Sequence, residues 1–345
     1  MTISPVKSHP LRRALELISE DGKGVSRRLQ AELGITRQAV HKQLQALIRQ
    51  GLVETEGRTQ ARVLRLAVLK EDARSYERRS VQEDVVWREM FSGLLQDLPT
   101  NVQGIWNYGV TEMVNNAIDH SGSDRIQVGV RRDALKTDAW VADDGEGIFL
   151  KIQKALSLYD PRESILELSK GKFTTDPQRH SGEGIFFTSK VFDTFDIRSG
   201  HLHFMHEGAF EILGEHPRDA PGTLVVMRLA NDSMRTTQEV FDRFAAPDAF
   251  TFAKTIVPVR LAQYEGETLV SRSQARRLYH RFEKFQQVIL DFEGVAEIGQ
   301  AFGDELFRVF TKTHPTVELT PIGMSEAVAR MIERARAGAE VGEGS

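Results

Sequence analysis

One stretch of this chain restricts its fold more than any other: a long apolar helix followed by three glycine-bearing turns, in order, between residues 101 and 223. Val102, Trp106, Val110, Met113, Val114 and Ala117 recur at helical spacing, which predicts a helix over 101–120 with a buried stripe. Glu112, Asn116 and His120 lie four apart and share another face of it. A strand-like IQVGVRR leads to WVADDGEGI, in which Asp143, Gly145 and Gly147 form D-x-G-x-G. HSGEGIFF puts Gly182 and Gly184 at the start of an apolar helix, and PGTLVVMRL puts Gly222 and Thr223 ahead of a β-branched strand. A carboxylate and an amide one turn apart beside a buried stripe could hold a metal ion and a water. Each piece alone is a modest signal; the four in this order are not easily reached by chance.

The series resembles the GHKL superfamily of ATPases, which includes DNA gyrase, a heat-shock chaperone, a mismatch-repair ATPase, sensor histidine kinases and anti-sigma-factor serine kinases. The resemblance covers roughly 95–230 and implies a central α/β sandwich of the Bergerat ATP-binding type. It implies that Asn116 coordinates Mg2+ bridging the phosphates and that Glu112 is the general base for the attacking water. Asp143 would accept from the adenine amino group, and Thr223 would support that contact. Gly145 and Gly147 would let the backbone pass close to the base, and Gly182 and Gly184 would turn backbone amides to the phosphates. The chemistry is coherent. Mg2+ commonly takes one protein oxygen plus phosphates and waters, a helix N-terminus suits an anion, and hydrolysis needs a base within hydrogen-bond reach of a positioned water.

Residues 148–181 are too many for a simple connection and are expected to form an ATP lid, with helical pieces near 149–157 and 161–169. Lys170, Lys172, Arg179 and His180 lie in its second half. One such cation would meet the γ-phosphate, with Lys172 the candidate. Asp119 is expected to lend support behind Asn116, and Asp144, Glu146 and Glu183 to face solvent. Segment 81–100 holds no histidine, which argues against an autophosphorylating histidine kinase, and the chain is too short for a type II topoisomerase.

Toward the N-terminus, Leu11, Leu15 and Ile18 predict a helix over 10–20. Ser26 is the expected N-cap of a second helix, Gly34 the turn, and Thr36 the cap of a third helix that Gly51 closes. Val40, Leu44 and Leu47 form the apolar face of that third helix, while Arg37, Gln38, His41, Lys42 and Gln45 form the polar one. LVETEG and ARVLRLAVL then read as a two-stranded wing around Gly57-Arg58. The segment 25–66 resembles winged-helix transcription regulators. That implies DNA binding, with Arg37, Gln38, His41 and Lys42 toward base edges and Arg58, Arg62 and Arg65 near phosphates. Charge agrees: residues 1–80 carry sixteen Lys and Arg against nine Asp and Glu, and the rest of the chain carries 29 against 40. Residues 70–80 are read as a linker or exposed helix, and 81–98 as an amphipathic helix.

After a break near 245–253, TIVPVRLAQY, ETLVS, VILDFEGV and VELTPIG read as strands. They alternate with helices over 271–284, over QAFGDELFRVFTK and over SEAVARMIERARA. The arrangement resembles the STAS domain of anti-anti-sigma factors and the STAS-like domains of unknown function. The positions matching the phosphoacceptor serine of the former are Gly299, Gln300 and Ala301, none with a hydroxyl, which puts a phosphoswitch there in doubt.

The chain has no cysteine, which excludes disulfides, thiolate metal sites and a cysteine nucleophile. It has no apolar run near the roughly 18 residues of a membrane span, and MTISPVKSHPLRR lacks a signal-peptide core, so a cytoplasmic location is expected. The expected architecture is a winged helix-turn-helix domain at 1–70 and a GHKL-type ATP-binding domain at 71–243. A STAS-like α/β domain at 244–338 and a frayed tail at 339–345 complete it. The expected function is an ATP-binding, ATP-hydrolysing DNA-binding regulator using ATP and Mg2+, with a protein partner for the STAS-like domain, a possible homodimer and no membrane partner. The alternative is an anti-sigma-type protein serine/threonine kinase with a fused docking domain.

Overall fold

The computed structural model describes residues 9–57, 62–172, 182–208, 210–245, 253–263 and 267–340. The chain divides into two compact units: Met1–Asp143, Phe192–Phe195 and Leu224–Thr236 form the first, and Asp144–Val191, Asp196–Thr223 and Thr237–Ser345 the second.

The first unit opens with α1 (His9–Glu20), α2 (Val25–Leu33) and α3 (Arg37–Arg49), followed by an antiparallel hairpin of β1 (Val53–Glu56) and β2 (Val63–Leu66). Apolar positions of all five elements, among them Leu15, Ile18, Leu29, Val40, Leu47, Val53 and Leu64, close one core. Thr36 caps α3 by accepting from the Ala39 amide at 3.2 Å, and Gly34 turns the chain at φ 64°. Ser26 does not cap α2. The helix begins at Val25 behind Gly24 at φ 62°, because the left-handed glycine already turns the chain two residues before Ser26.

Residues 70–77, expected as linker or helix, are instead a strand, β3 (Lys70–Glu77), antiparallel to β4 (Arg125–Arg132). It is an edge strand, so its charges stay wet while its backbone pairs. The segment expected as one helix over 81–98 runs as α4 (Glu83–Val86), a π turn (Trp87–Phe91) and α5 (Ser92–Leu95). Helix α6 (Thr100–His120) buries the predicted stripe, with Trp106 and Val110 fully enclosed. Gly109 lets the ring of Phe192 lie against the helix: an added Cβ would stand 2.3 Å from it. β4 pairs antiparallel with β5 (Lys136–Asp143), and the five-stranded sheet is ordered β3-β4-β5-β7-β6, with β6 spanning Thr194–Glu207 and β7 Phe210–Ala230.

The second unit contains α7 (Ile148–Leu156), α8 (Glu163–Lys170), α9 (Gly184–Val191) and α10 (Thr237–Phe244). It also holds a three-stranded parallel sheet of order β10-β9-β8, from β8 (Lys254–Pro258), β9 (Gln287–Asp291) and β10 (Glu318–Ile322). Helices α11 (Arg272–Tyr279), α12 (Gln300–Asp304) continued through a π turn into α13 (Thr311–Thr313), and α14 (Glu326–Glu340) complete this C-terminal module. Ser271 caps α11 in a capping box with Gln274. Three expectations differ in detail. The strand expected at ETLVS is only a single bridge, Leu269 to Ile298. The strand expected to run through Gln263 ends at Pro258, after which Val259–Ala262 wind into a 3-10 turn. The helix expected to reach Lys284 stops at Tyr279, because Arg281 turns the chain at φ 65°. Of the tail 339–345, Ala339 and Glu340 belong to α14, and 341–345 lie outside the described residues.

Candidate functional site

In the first unit, α6 carries Glu112 and Asn116 one turn apart on its half-buried flank. One end of the Asn116 side-chain amide, Nδ2, is buried and has no hydrogen-bond partner among the described residues. Leaving a buried amide group unpaired costs about 1–3 kcal/mol, and Asn116 is one of several such groups among the described residues. Amide oxygen and nitrogen are interchangeable by rotation, so the same group can offer an oxygen to a cation. Asp143 closes β5, in register with Ile126 and half-buried.

In the second unit, Gly147, Ile148, Ser199, Gly222 and Thr223 meet closely. Gly147 has φ 90°, and a Cβ there would lie 2.5 Å from the Ser199 Oγ and 3.2 Å from the Gly222 carbonyl oxygen. No side chain fits, which is the cradle a close-approaching ligand or strand requires. The buried Ser199 hydroxyl donates to the Gly222 carbonyl at 2.7 Å. Thr223 Oγ1 accepts the Ile148 amide at 3.0 Å, so the hydroxyl caps the first turn of α7 while its own proton points elsewhere. Sequence reasoning missed Ser199, since a lone serine within a strand carries no signal.

Gly182 has φ 73° and Gly184 opens α9, whose Phe187 amide donates to the Glu183 carbonyl at 2.9 Å. Asp144 and Glu146 are exposed, Glu146 paired with Lys154, and Glu183 is half-buried. Lys172 lies against the C-terminal module: its Nζ donates to the Lys284 carbonyl at 2.9 Å and stands 5.0 Å from the Phe285 ring centre, and burial lowers its pKa. Lys170 is fully buried beside Glu167. Arg179 and His180 lie outside the described residues.

On α3, Arg37, Gln38, His41 and Lys42 are all exposed along its first two turns. With Ser26, Gln45 and Arg62, residues Arg37, Gln38 and His41 border an open groove of about 580 Å3 floored by Leu44 and Leu64. Arg65 pairs with Glu56 at 2.6 Å on the hairpin, and Arg58 lies outside the described residues. Gly299 and Gln300 stand at the start of α12, just after β9, with Gly299 as its N-cap.

Among the described residues, no helix is long and apolar enough to cross a membrane. Comparison with known proteins identifies the C-terminal module: residues 274–329 match the STAS-like domain of unknown function, DUF4325. That range runs from within α11 to within α14 and includes β9 and β10. No curated protein matches the chain. The protein is thus a mixed α/β chain with a STAS-like domain over residues 274–329.

Proposed function

We propose that the chain is an ATP-dependent DNA-binding regulator. In this reading α1–α3 and the hairpin are a winged helix, the central segment is a Bergerat-type ATP-binding domain, and the STAS-like module is a protein-interaction module. The observation that carries the nucleotide part is the buried, unpartnered amide of Asn116 one turn from Glu112. It is what a helix would present if that amide served a hydrated cation and the carboxylate a water. The glycine cradle at Gly147, with Thr223 tied to the following helix, supports it from the chemistry of the other motif.

Mg2+, when bound, supplies charge compensation on the phosphates; Asn116 would offer it one oxygen. Asp143 would accept the adenine amino protons, and Thr223 would donate its hydroxyl proton at the same edge. Glu112 would take a proton from water at its carboxylate oxygen. Gly182 and Gly184 would expose amides to phosphate oxygens at the start of α9. Arg37, Gln38, His41 and Lys42 support the DNA part, being exposed together on α3 beside an open groove.

The test is Mg2+-dependent ATP binding and phosphate release, wild type beside Asn116→Ala and Glu112→Ala. Asn116→Ala should weaken binding at least tenfold, and Glu112→Ala should bind yet stop release. Transfer of label from ATP to protein would replace hydrolysis by the kinase alternative. No binding by the wild type would refute the nucleotide reading. For the DNA part, anisotropy of labelled duplex with ATP, ADP and no nucleotide should give different affinities; equal affinities would refute nucleotide control.

A further inference from the structure

The residues that join α8 to the C-terminal module form a costly cluster. Lys170, fully buried, donates to Glu167 Oε1 at 2.6 Å and to the His280 carbonyl at 2.9 Å. Glu167, 2% exposed, also accepts from Arg281 Nη1 at 2.9 Å and meets His280 Nδ1 at 3.1 Å. Arg281 Nη2 donates to the Lys172 carbonyl, and the buried Thr255 hydroxyl of β8 donates to the Lys170 carbonyl at 2.9 Å. The C-terminal module therefore grips main chain and side chains of 163–172 together.

Three features separate this from ordinary packing. An enclosed lysine is retained where apolar side chains of similar volume would cost no desolvation. Lys172 and Arg281 both sit in the left-handed region, at φ 54° and 65°, although neither is glycine. Such backbone strain persists only where surroundings over-determine it, and gathers at switch regions. Finally, α8 lies outside the stretch that matches the STAS-like family, 274–329, and comes from the segment running between the Gly147 and Gly182 motifs.

We propose that the interaction partner of the STAS-like module is this segment of its own chain. Arg281 and Thr255 are positioning residues that hold 163–172, and through that segment the module governs how fast nucleotide leaves. The inference rests on the nucleotide reading above. It gives the module a role that needs no phosphoacceptor serine, consistent with Gly299, Gln300 and Ala301 at the start of α12.

The experiment follows release of N-methylanthraniloyl-ATP with Mg2+ and hydrogen exchange of peptides covering 272–284, on the full chain. Wild type should gain protection over 272–284 when nucleotide is added. Arg281→Lys keeps the charge but cannot serve both Glu167 and the Lys172 carbonyl. It should abolish that gain and speed release about tenfold while the chain stays folded by circular dichroism. Thr255→Val, close in shape, should speed release about threefold and guards against a fold loss in the first variant. If nucleotide binds but exchange over 272–284 does not respond, or both variants release within twofold of wild type, the coupling is overturned. If wild type binds no nucleotide, the nucleotide reading has failed and the coupling falls with it.

Discussion

Glu167→Gln should destabilise the C-terminal module far more than Lys170→Met, although the two side chains touch. Burial pushes the Glu167 carboxyl up, but Lys170, His280 and Arg281 outweigh it and hold it down at about 2, against an ordinary value of 4.5. That difference corresponds to about 3 kcal/mol at neutral pH. Gln keeps the shape but leaves two buried cations, Lys170 and Arg281, without their anion, for which 3–5 kcal/mol is typical. Lys170→Met leaves Glu167 still paired with Arg281 and removes an ammonium whose pKa burial already lowers. Its terminal methyl would end about where the lysine Cε lies, beside the Phe282 ring, whose centre is 5.4 Å from the present Nζ. The expected cost is under about 1 kcal/mol. The sign with pH follows from a lowered carboxyl pKa. The stabilisation is complete above about 4.5 and fades as pH falls toward 2, so wild type and Glu167→Gln should converge in acid. Trp87, Trp106 and Trp140 all belong to the first unit, so indole fluorescence would not report this module. Scanning calorimetry, with exchange of β9 amides to assign the transition, is the assay. A loss of about 3 kcal/mol should lower the midpoint of a module of this size by roughly 12–24 °C. Equal costs for the two variants, or a Glu167→Gln cost below about 1 kcal/mol, would refute the view that the carboxylate is the hub.

Three further outcomes are expected. Gly147→Ala should cost about 1–3 kcal/mol and weaken ATP binding at least tenfold in titrations. Adding Ser199→Ala should recover part of the stability, since a Cβ at position 147 would stand 2.5 Å from the Ser199 Oγ. Gly109→Ala should destabilise the first unit by about 1–3 kcal/mol despite alanine's better helix propensity, read in urea from Trp106, which packs edge-on against Phe192 at 4.8 Å. Arg37→Ala and Lys42→Ala should weaken DNA binding, and a phosphate contact among them should show as a salt slope smaller by about one; an unchanged slope and affinity for both would remove α3 from the interface.

Helix α6 is legible in the sequence because its apolar stripe is continuous and one-sided, and α1–α3 because Gly34 and Thr36 punctuate them where the backbone demands it. β3 is not. Lys70-Glu71-Asp72-Ala73-Arg74 offers no apolar alternation, and only its pairing with β4 makes it a strand. The early end of α11 is hidden because Arg281 in a left-handed turn defies the rule that glycine marks such places. In the candidate site, the glycines and Glu112, Asn116, Asp143 and Thr223 can be named from motif order. Ser199 cannot, because its role is a tertiary hydrogen bond to Gly222. The charges of α8 mislead in the opposite sense. Glu167 and Lys170 resemble a solvated helix face, yet every residue from Ser164 to Lys170 is buried, and pattern reading assumes that one face meets water.

The N-terminal module is fixed to the sheet of the first unit, and this bears on how any signal could reach α3. Leu69, Ala134 and Leu135 pack against the module's core, and the Leu69 amide donates to the Arg132 carbonyl at 2.8 Å. Asn231 donates to the Asp133 carbonyl at 2.9 Å and accepts from Thr137 at 2.8 Å, while the next residue, Asp232, pairs with Arg12 of α1. The ion pair is about 40% exposed on each side and contributes on the order of 0–1 kcal/mol; the apolar contacts carry the docking. A module held this way does not move on a tether. Under the proposed function, nucleotide control of DNA binding therefore has to bend the β4–β5 turn or the Asn231–Asp232 loop that follows β7, or else change how copies of the chain associate. The same β7 carries Gly222 and Thr223 upstream of that loop, so a change at the glycine cradle has a covalent path along one strand to the partner of Arg12. Coupling of this kind requires only that the two nucleotide states differ in the geometry of that strand end.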